Sequence, residues 1–240
     1  MGNESGDWIM YGCAPNDPRR LRTVEELIDC ADELGFLPLF KNGVPGFSVE
    51  ERTLAADWWT EDYDRDPWYW RVSAAGSGKV AYGKFFDKKA GFISLRWLPI
   101  FANWRRDGYD FDARYDDGLA TVRQKKIMDQ FEKHEELFSF ELKELAGFGK
   151  GGEKNFEGTV TGLQMQSYLV LKDFRCRKNK YAEDYGWQIA VLAPPEKIWG
   201  YDAVTAGYAE DPAASRGRVL EQVRQHFPTA DNAAIQSIFK

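Results

Sequence analysis

The 240-residue sequence predicts an α+β protein that is mostly helical, with tandem winged-helix-like modules and short β-hairpins. Stretches with the helical spacing of apolar residues dominate the chain, and two pairs of strand-like segments each flank a short polar turn. Between residues 121 and 199, three helical stretches precede one of these pairs. That order, a helix-turn-helix followed by a β-ribbon, is typical of a winged helix.

Capping signals mark the predicted helices of the first half. Thr23 begins a capping box ahead of an apolar stripe that ends at Gly35. Ser48 begins the same pattern before a predicted helix that carries Leu54, Ala55 and Trp58. Asp66 and the proline after it form an N-cap followed by proline at the first helical position, which predicts a third helix. A polar turn then separates KVAYGKFF from AGFIS, which predicts a β-hairpin near residues 80–93.

The acidic segment 107–118, DGYDFDARYDDG, has the composition of a linker. We expect a solvated loop there, with carboxylates that pair with Arg105, Arg106 and Arg114. The linker divides the chain into three predicted parts, which are a helix-rich winged-helix-like module at 1–110, a winged helix at 111–200 with a basic wing at 168–192, and a C-terminal helical extension at 201–240.

In the second half, the predicted helices cover residues 121–134, 139–149 and 153–169. Ser139 is the predicted N-cap of the middle helix, and Gly147 its end. The hairpin follows as YLVLKDFRCRK, a polar turn, and YGWQIAVLA, in which Trp187, Ile189 and Val191 alternate as in a half-buried strand.

Composition limits the function classes. The hydrophobic share of 43% and the charged share of 29% are those of an ordinary globular protein. A net charge of -6 excludes a protein coated in positive charge, but it leaves room for a local basic face. Cys13, Cys30 and Cys176 lack the spacing of a disulfide framework or zinc site, so we expect a cytoplasmic protein without metal or cofactor. No run of 18 apolar residues occurs and the start, MGNESGDWIM, lacks signal-peptide character, so we expect no membrane partner.

A basic cluster lies on the predicted wing. Residues 172–180 contain five basic side chains and a single acid, Asp173. On a winged helix such side chains would lie where a phosphate backbone passes. No arginine or amide pair sits centrally on the third helix for base readout, so contacts to duplex DNA would be dominated by backbone and shape. The predicted DNA-binding residues are Lys150, Lys154, Thr161, Lys172, Arg175, Arg177, Lys178 and Lys180.

Two blocks of the sequence resemble a known family. GKFFDKKAGFISLRWLPIFANWRRDGYD and GKGGEKNFEGTVTGLQMQSYLVLKDFRCRKNKYAEDYGWQIAVLAPPEKIW are similar to segments of the AlkZ-like (YcaQ-type) DNA glycosylases, which remove alkylated bases and unhook crosslinks. The second block matches that family's winged helix. Members consist of tandem winged-helix units with a further β-barrel and are longer. The resemblance implies a DNA-facing scaffold.

The residues that the family uses for catalysis are not matched. Its Gln-x-Asp or Gln-x-Gln triplet corresponds here to LGFLPLFKNG, with Pro38 and Phe40 in the two functional places, and its His-Glu pair corresponds to Lys88-Lys89. Neither Pro38 nor Phe40 can orient a water or stabilise an oxocarbenium-like sugar. Gln164 and Gln166 cannot replace the triplet, because residues two apart on a helix point in different directions. The catalytic residues are therefore unknown.

Three hypotheses follow. The first is a DNA-binding protein that recognises duplex or damaged DNA without cutting a glycosidic bond. The second is an active glycosylase with relocated catalytic groups. Tryptophans and carboxylates between residues 50 and 70 are the candidates for the aromatic wall and the carboxylate that a flipped base would need. The third is a protein-interaction module in which winged helices pack together as a homodimer.

Overall fold

Helices predominate over strands in residues 10–240, the part of the chain that the computed structural model describes. The predicted α+β class is confirmed. Most of the segment used to judge a signal peptide, residues 1–9, lies outside that part. The helices are α1 Val24–Leu34, α2 Pro67–Gly76, α3 Leu98–Arg106, α4 Phe111–Asp116, α5 Val122–Met128, α6 Ser139–Leu145, α7 Phe156–Met165, α8 Pro195–Trp199, α9 Tyr201–Thr205, α10 Pro212–His226 and α11 Asn232–Ile238.

The predicted hairpin of the first half is confirmed as part of a three-stranded antiparallel sheet. Strands β1 (Phe36–Pro38), β2 (Val80–Phe86) and β3 (Lys89–Ser94) are arranged in the order β1-β3-β2. Asp87 and Lys88 make the turn with φ values of 46° and 64°. Positive φ at both central residues matches the right-handed twist of the strands and closes the hairpin tightly.

A second antiparallel sheet contains the predicted ribbon. Strands β5 (Val170–Lys178) and β6 (Asp184–Ala193) form the hairpin, and β4 (Leu137–Phe138) pairs with the inner end of β6. Strand β4 was not predicted, because two residues carry no strand periodicity. It brings the segment just before α6 against the ribbon.

Thr23 and Asp66 cap α1 and α2 as predicted, but the capping box at Thr23 forms only in part, because the Glu26 carboxylate accepts from the Arg22 N–H instead of the Thr23 N–H. The Thr23 hydroxyl accepts from the Glu26 N–H, and Gly35 ends α1 with φ 83°. Asp66 accepts from the Trp68 N–H ahead of Pro67.

The helix predicted after Ser48 was wrong. The Ser48 hydroxyl and Glu51 do bond reciprocally, but only two 3₁₀ turns follow, Glu50–Arg52 and Ala55–Asp57. Thr53 ends the first turn because it adopts an extended conformation, and its hydroxyl donates to the Val49 carbonyl.

The predicted linker at 107–118 contains helix α4, and Phe111 of that helix is buried. The predicted pairing of its carboxylates with nearby arginines was also wrong. Arg105 donates to the backbone carbonyls of Met165 and Phe239, and Arg106 pairs with Glu196. These partners lie far along the chain, which local composition cannot indicate.

Two hydrophobic clusters form the interior. The second cluster gathers apolar residues from Phe111 to Leu192, including those of α5, α6 and α7. The first joins the β1-β3-β2 sheet and α1 to residues 204–239, which carry α10 and α11. Phe239 contacts the rings of Phe36 and Phe101 at centroid distances of 5.7 and 6.1 Å. The C-terminal segment therefore packs into the first cluster.

Helices α5, α6 and α7 lie within the predicted ranges and are shorter. The first predicted stretch ends as a 3₁₀ turn, Asp129–Glu132, and α7 begins at Phe156 because Asn155 adopts a left-handed conformation with φ 66°. Phe138, and not the predicted Ser139, is the N-cap of α6. Gly147 follows the end of α6 with φ 73°, as its capping role predicts. In the part of the chain from residue 10 onward, no helix has the length and apolar character needed to cross a membrane.

Candidate nucleic-acid interface

The outer half of the β5-β6 ribbon is exposed to solvent. Apolar residues at its inner end, such as Val170 and Val191, are buried, whereas residues 180–188 are all exposed. The turn between the strands is fixed by Asn179, whose side-chain oxygen accepts from the backbone N–H groups of Tyr181 and Glu183. The sequence thus builds a ribbon that is anchored at one end and projects at the other.

Two of the predicted phosphate contacts share a carboxylate partner within the chain. Lys172 and Arg175 both donate to the carboxylate of Glu136, which precedes β4. Burial opposes ionisation of Glu136, but the hydrogen bonds from Lys172 and Arg175 outweigh it, so its pKa lies below the ordinary value. Asp173 adds a contact of 3.3 Å to the Arg175 guanidinium. In the free protein, Glu136 and Asp173 therefore fix the positions of these two side chains and partly compensate their charge.

The ribbon arginines also contact aromatic rings of the neighbouring segment. Arg175 lies 5.5 Å from the ring centroid of Phe138, and Arg177 lies 4.3 Å from that of Phe140. The two phenyl rings stack on each other at 5.5 Å. Cation–π contacts of this kind orient a guanidinium without cancelling its charge. Arg177 is thereby positioned along the ribbon and remains exposed.

The remaining cations of the ribbon differ in their partners. Lys178 pairs with Asp184 at 2.9 Å, and both side chains are largely exposed. Arg177 and Lys180 have no carboxylate within 4.0 Å among residues 10–240. Lys180 lies over the ring of Tyr181, 4.9 Å from its centroid. Arg177 and Lys180 are therefore the ribbon cations most available to an external anion.

The loop before α7 adds exposed lysines. Lys150 and Lys154 are exposed, and Lys154 lines a surface hollow of about 390 Å³ together with Lys143. Glycines at φ 73°, 142° and 82° shape this loop, at Gly147, Gly149 and Gly151. Lys143 was not among the predicted DNA-binding residues, because it lies on α6, seven residues before Lys150. Its exposed position near the end of that helix was the available signal.

Strand β2 covers the side of α7 that carries Thr161, one of the predicted DNA-binding residues. The Thr161 hydroxyl accepts from the Lys84 Nζ at 3.4 Å, and Thr161 is half-buried. The buried Gln164 accepts from the Lys84 backbone N–H at 2.8 Å. The bulged strand β2 brings Lys84 to this position, between Gly83 and Phe86. Helical periodicity could not reveal that Thr161 is covered, because the covering strand, β2, is distant from α7 in the sequence.

The other side of α7 borders an open cleft of about 510 Å³. Gly158 and Gly162 form part of its wall, opposite Arg123 and Gln124 of α5. A Cβ at Gly158 would lie 2.4 Å from the Asn155 side chain, so local packing accounts for that glycine. A Cβ at Gly162 would meet only the Gln124 amide, at 4.0 Å. Packing within residues 10–240 thus gives no reason for a glycine at position 162.

Two nonpolar residues stand at the positions that match the family's catalytic triplet. Pro38 is buried in β1 opposite Gly91, and Phe40 packs beside Trp58 and Trp68 at 5.9 and 6.4 Å between ring centroids. The cavity between Pro38, Phe40 and the β2-β3 turn measures about 90 Å³. Pro38 and Phe40 contribute no polar side chain to it, although its lining also includes Asn42, Asp87, Lys89 and Ser237.

Three of the carboxylates considered for a relocated site are committed to structure. Glu50 is 2% exposed and accepts from the backbone N–H groups of Tyr11 and Lys41. Asp57 pairs with Arg65 at 2.5 Å. Asp66, which is fully buried, caps α2 and also accepts from the Thr60 N–H. In residues 10–240 no group of three or more His, Cys, Asp or Glu side chains could hold a metal ion.

Comparison with known proteins gives one match. No curated protein and no solved structure matches the chain. The sequence profile described as "AlkZ related" matches residues 21–240 and so covers both hydrophobic clusters, the ribbon and the C-terminal helices. On that match, the chain belongs to the AlkZ-related family.

Proposed function

We propose that this protein binds duplex DNA, damaged duplex included, through the outer β5-β6 ribbon and the loop before α7. The observation that carries the proposal is the pair Arg177 and Lys180, which are exposed and have no carboxylate partner in residues 10–240. Exposed cations on a projecting ribbon suit a phosphate backbone. Membership in the AlkZ-related family supports a DNA-binding scaffold of the repair type.

The arrangement of α5, α6, α7 and the ribbon supports a winged-helix mode of binding. In helix-turn-helix proteins the second helix of the motif enters the major groove with its N-terminal residues foremost. In this chain that helix would be α7, with Lys150 and Lys154 just before it. Few side chains at its start can read base edges, so phosphate contacts and DNA shape would dominate binding.

We further propose that the protein does not cut the glycosidic bond. The nonpolar pair Pro38 and Phe40, and the structural hydrogen bonds of Glu50 and Asp66, support this part. Bond cleavage needs a group that activates water or stabilises positive charge on the sugar. Incubation with an alkylated duplex, followed by alkaline cleavage at abasic sites, tests it. We expect unchanged DNA, and strand breaks that depend on the protein would refute it.

Binding is tested by fluorescence anisotropy with a labelled duplex at several salt concentrations. The double substitution Arg177→Ala/Lys180→Ala is expected to reduce the slope of log K against log salt by about two units, since each phosphate contact contributes about 0.9. The control, Arg22→Ala/Arg216→Ala, removes the same charge from exposed positions outside the ribbon and is expected to leave the slope unchanged. Equal losses in both variants, or no binding by the native protein at low salt, would overturn the proposal.

A further inference from the structure

A single tryptophan is presented to solvent on the ribbon. Trp187 is 90% exposed, more than any other large apolar side chain in residues 10–240. Tyr181 and Tyr185 on the same ribbon are 71% and 48% exposed. Trp187 lies in the predicted strand, β6, whose inner end is buried as expected, but the predicted burial of the Trp187 side chain was wrong. An indole offers a large flat apolar surface, and several such rings on one projection indicate a contact surface.

The exposure of Trp187 follows from a local irregularity of the strand pairing. Arg175 pairs with Ile189, and Arg177 pairs with Tyr185, so Cys176 alone lies opposite the three residues 186–188. Gly186 adopts φ 76° in this bulge. A bulge interrupts the alternation of side chains and re-aims them. The Trp187 side chain therefore does not lie on the face of the sheet that the alternating sequence pattern implies.

The positive charges near Trp187 indicate which kind of partner the surface would bind. Arg177 and Lys180 are exposed on the same ribbon, without carboxylate partners in the described part of the chain. A partner that suits both features is a polyanion that also carries flat rings. A second copy of this chain would bring the same cations to the contact. Nucleic acid with an accessible base has the required negative charge and aromatic face.

We propose that Trp187 stacks on a base, or fills the gap of a missing base, where a DNA duplex is locally unpaired. This inference rests on the proposed duplex binding and narrows its target to DNA with an interrupted base stack. In an intact duplex both faces of each base are covered by neighbours, so the indole gains no stacking contact there. At an unpaired base or an abasic position, one aromatic face is free. Arg177 and Lys180 hold the flanking phosphates in both cases.

The test compares three duplexes of one sequence: intact, with one unpaired extra base, and with one abasic analogue. Native protein is expected to bind the two interrupted duplexes at least about tenfold more tightly than the intact one, which is the range of one base–aromatic stack. Trp187→Ala is expected to lose this preference and to bind all three duplexes with similar affinity. Trp187→Tyr is expected to retain part of it. Tyr63→Ala, which removes another exposed aromatic side chain, is the matched control and is expected to retain all of it.

The outcomes separate this inference from the proposed function. A preference that survives in Trp187→Ala overturns the stacking role while duplex binding stands. Failure of the native protein to bind any duplex at low salt overturns both. Light scattering that shows a native dimer and a Trp187→Ala monomer would assign the indole to self-association and overturn the inference. Quenching of tryptophan fluorescence by the interrupted duplexes, present in native protein and absent in Trp187→Ala, would support it directly.

Discussion

Arg106 of α3 donates to the carboxylate of Glu196 in α8, with 2.5 Å between Nη1 and Oε1, although Arg106 is only 1% exposed. The same guanidinium donates to the Tyr208 hydroxyl at 3.0 Å and to the Ser167 carbonyl at 2.6 Å. Burial disfavours the charge, but Glu196 and Tyr208 outweigh it, so the pKa of Arg106 lies above its ordinary value. One side chain thereby connects α3 to the segments on both sides of the ribbon.

Glu196→Gln should destabilise the protein by about 3 kcal/mol, because a buried guanidinium then lacks a compensating charge. Urea unfolding measures the loss. Glu221→Gln removes a carboxylate from the exposed pair with Arg224 and should cost less than about 1 kcal/mol. Equal effects of the two substitutions would contradict the structural importance of the Arg106 pair.

Glu136→Gln should strengthen DNA binding. Loss of the carboxylate releases Lys172 and Arg175 for phosphate contacts, so the slope of log K against log salt should steepen by up to about two units. Anisotropy titrations at several salt concentrations measure this. Glu135→Gln is the matched control, because it removes the adjacent charge, which pairs with Lys197 instead. A gain of similar size in both variants would indicate a general charge effect.

Glu136 should also contribute to stability in a pH-dependent way. Its pKa in the folded state is lowered from the ordinary value of 4.5 by Lys172 and Arg175, which outweigh burial. A lowered carboxyl pKa stabilises the folded state fully above pH 4.5, and this contribution is lost as pH falls through the folded pKa. Urea unfolding at pH 7 should therefore show native protein as more stable than Glu136→Gln, and the difference should shrink towards pH 3. A difference that grows on acidification would contradict the assignment.

Gly162→Ala should raise stability and weaken DNA binding. Alanine in a helix is favoured over glycine by about 1 kcal/mol, and a Cβ at this position meets nothing closer than 4.0 Å. If the DNA backbone approaches α7 at Gly162, that methyl group obstructs it. Gly217→Ala in α10, where a Cβ would meet no atom within 4 Å, should raise stability and leave affinity unchanged. Thermal unfolding and anisotropy together check both variants, and unchanged affinity in Gly162→Ala would exclude close approach at that glycine.

Local sequence signals predicted the elements whose causes are local. Thr23, Gly35 and Asp66 act as caps, and the polar turns at Asp87 and Asn179 close hairpins, because each effect needs only neighbouring residues. The tandem winged-helix arrangement, the predicted domain boundaries and the predicted DNA contacts remain predictions. The family resemblance stated from two sequence blocks is confirmed over residues 21–240.

Contacts between distant segments could not be predicted in this way. Glu136 meets Lys172 only because the two-residue strand β4 pairs with β6, and nothing near Lys172 indicates that partner. Thr161 is covered because β2 places Lys84 beside α7. Trp187 is exposed because a bulge breaks the alternation that its sequence pattern implies. Each of these depends on strand pairing or packing across more than 30 residues, or on a register shift.

The packing of residues 204–239 into the first hydrophobic cluster has a consequence for biosynthesis. The segment 111–192 holds its own apolar cluster and can begin to fold while the ribosome is still adding later residues. Phe36 and Phe101, in the half of the chain that is synthesised first, cannot be fully buried until Phe239 has left the exit tunnel. For that interval the nascent chain exposes apolar aromatic side chains of the first cluster to solvent.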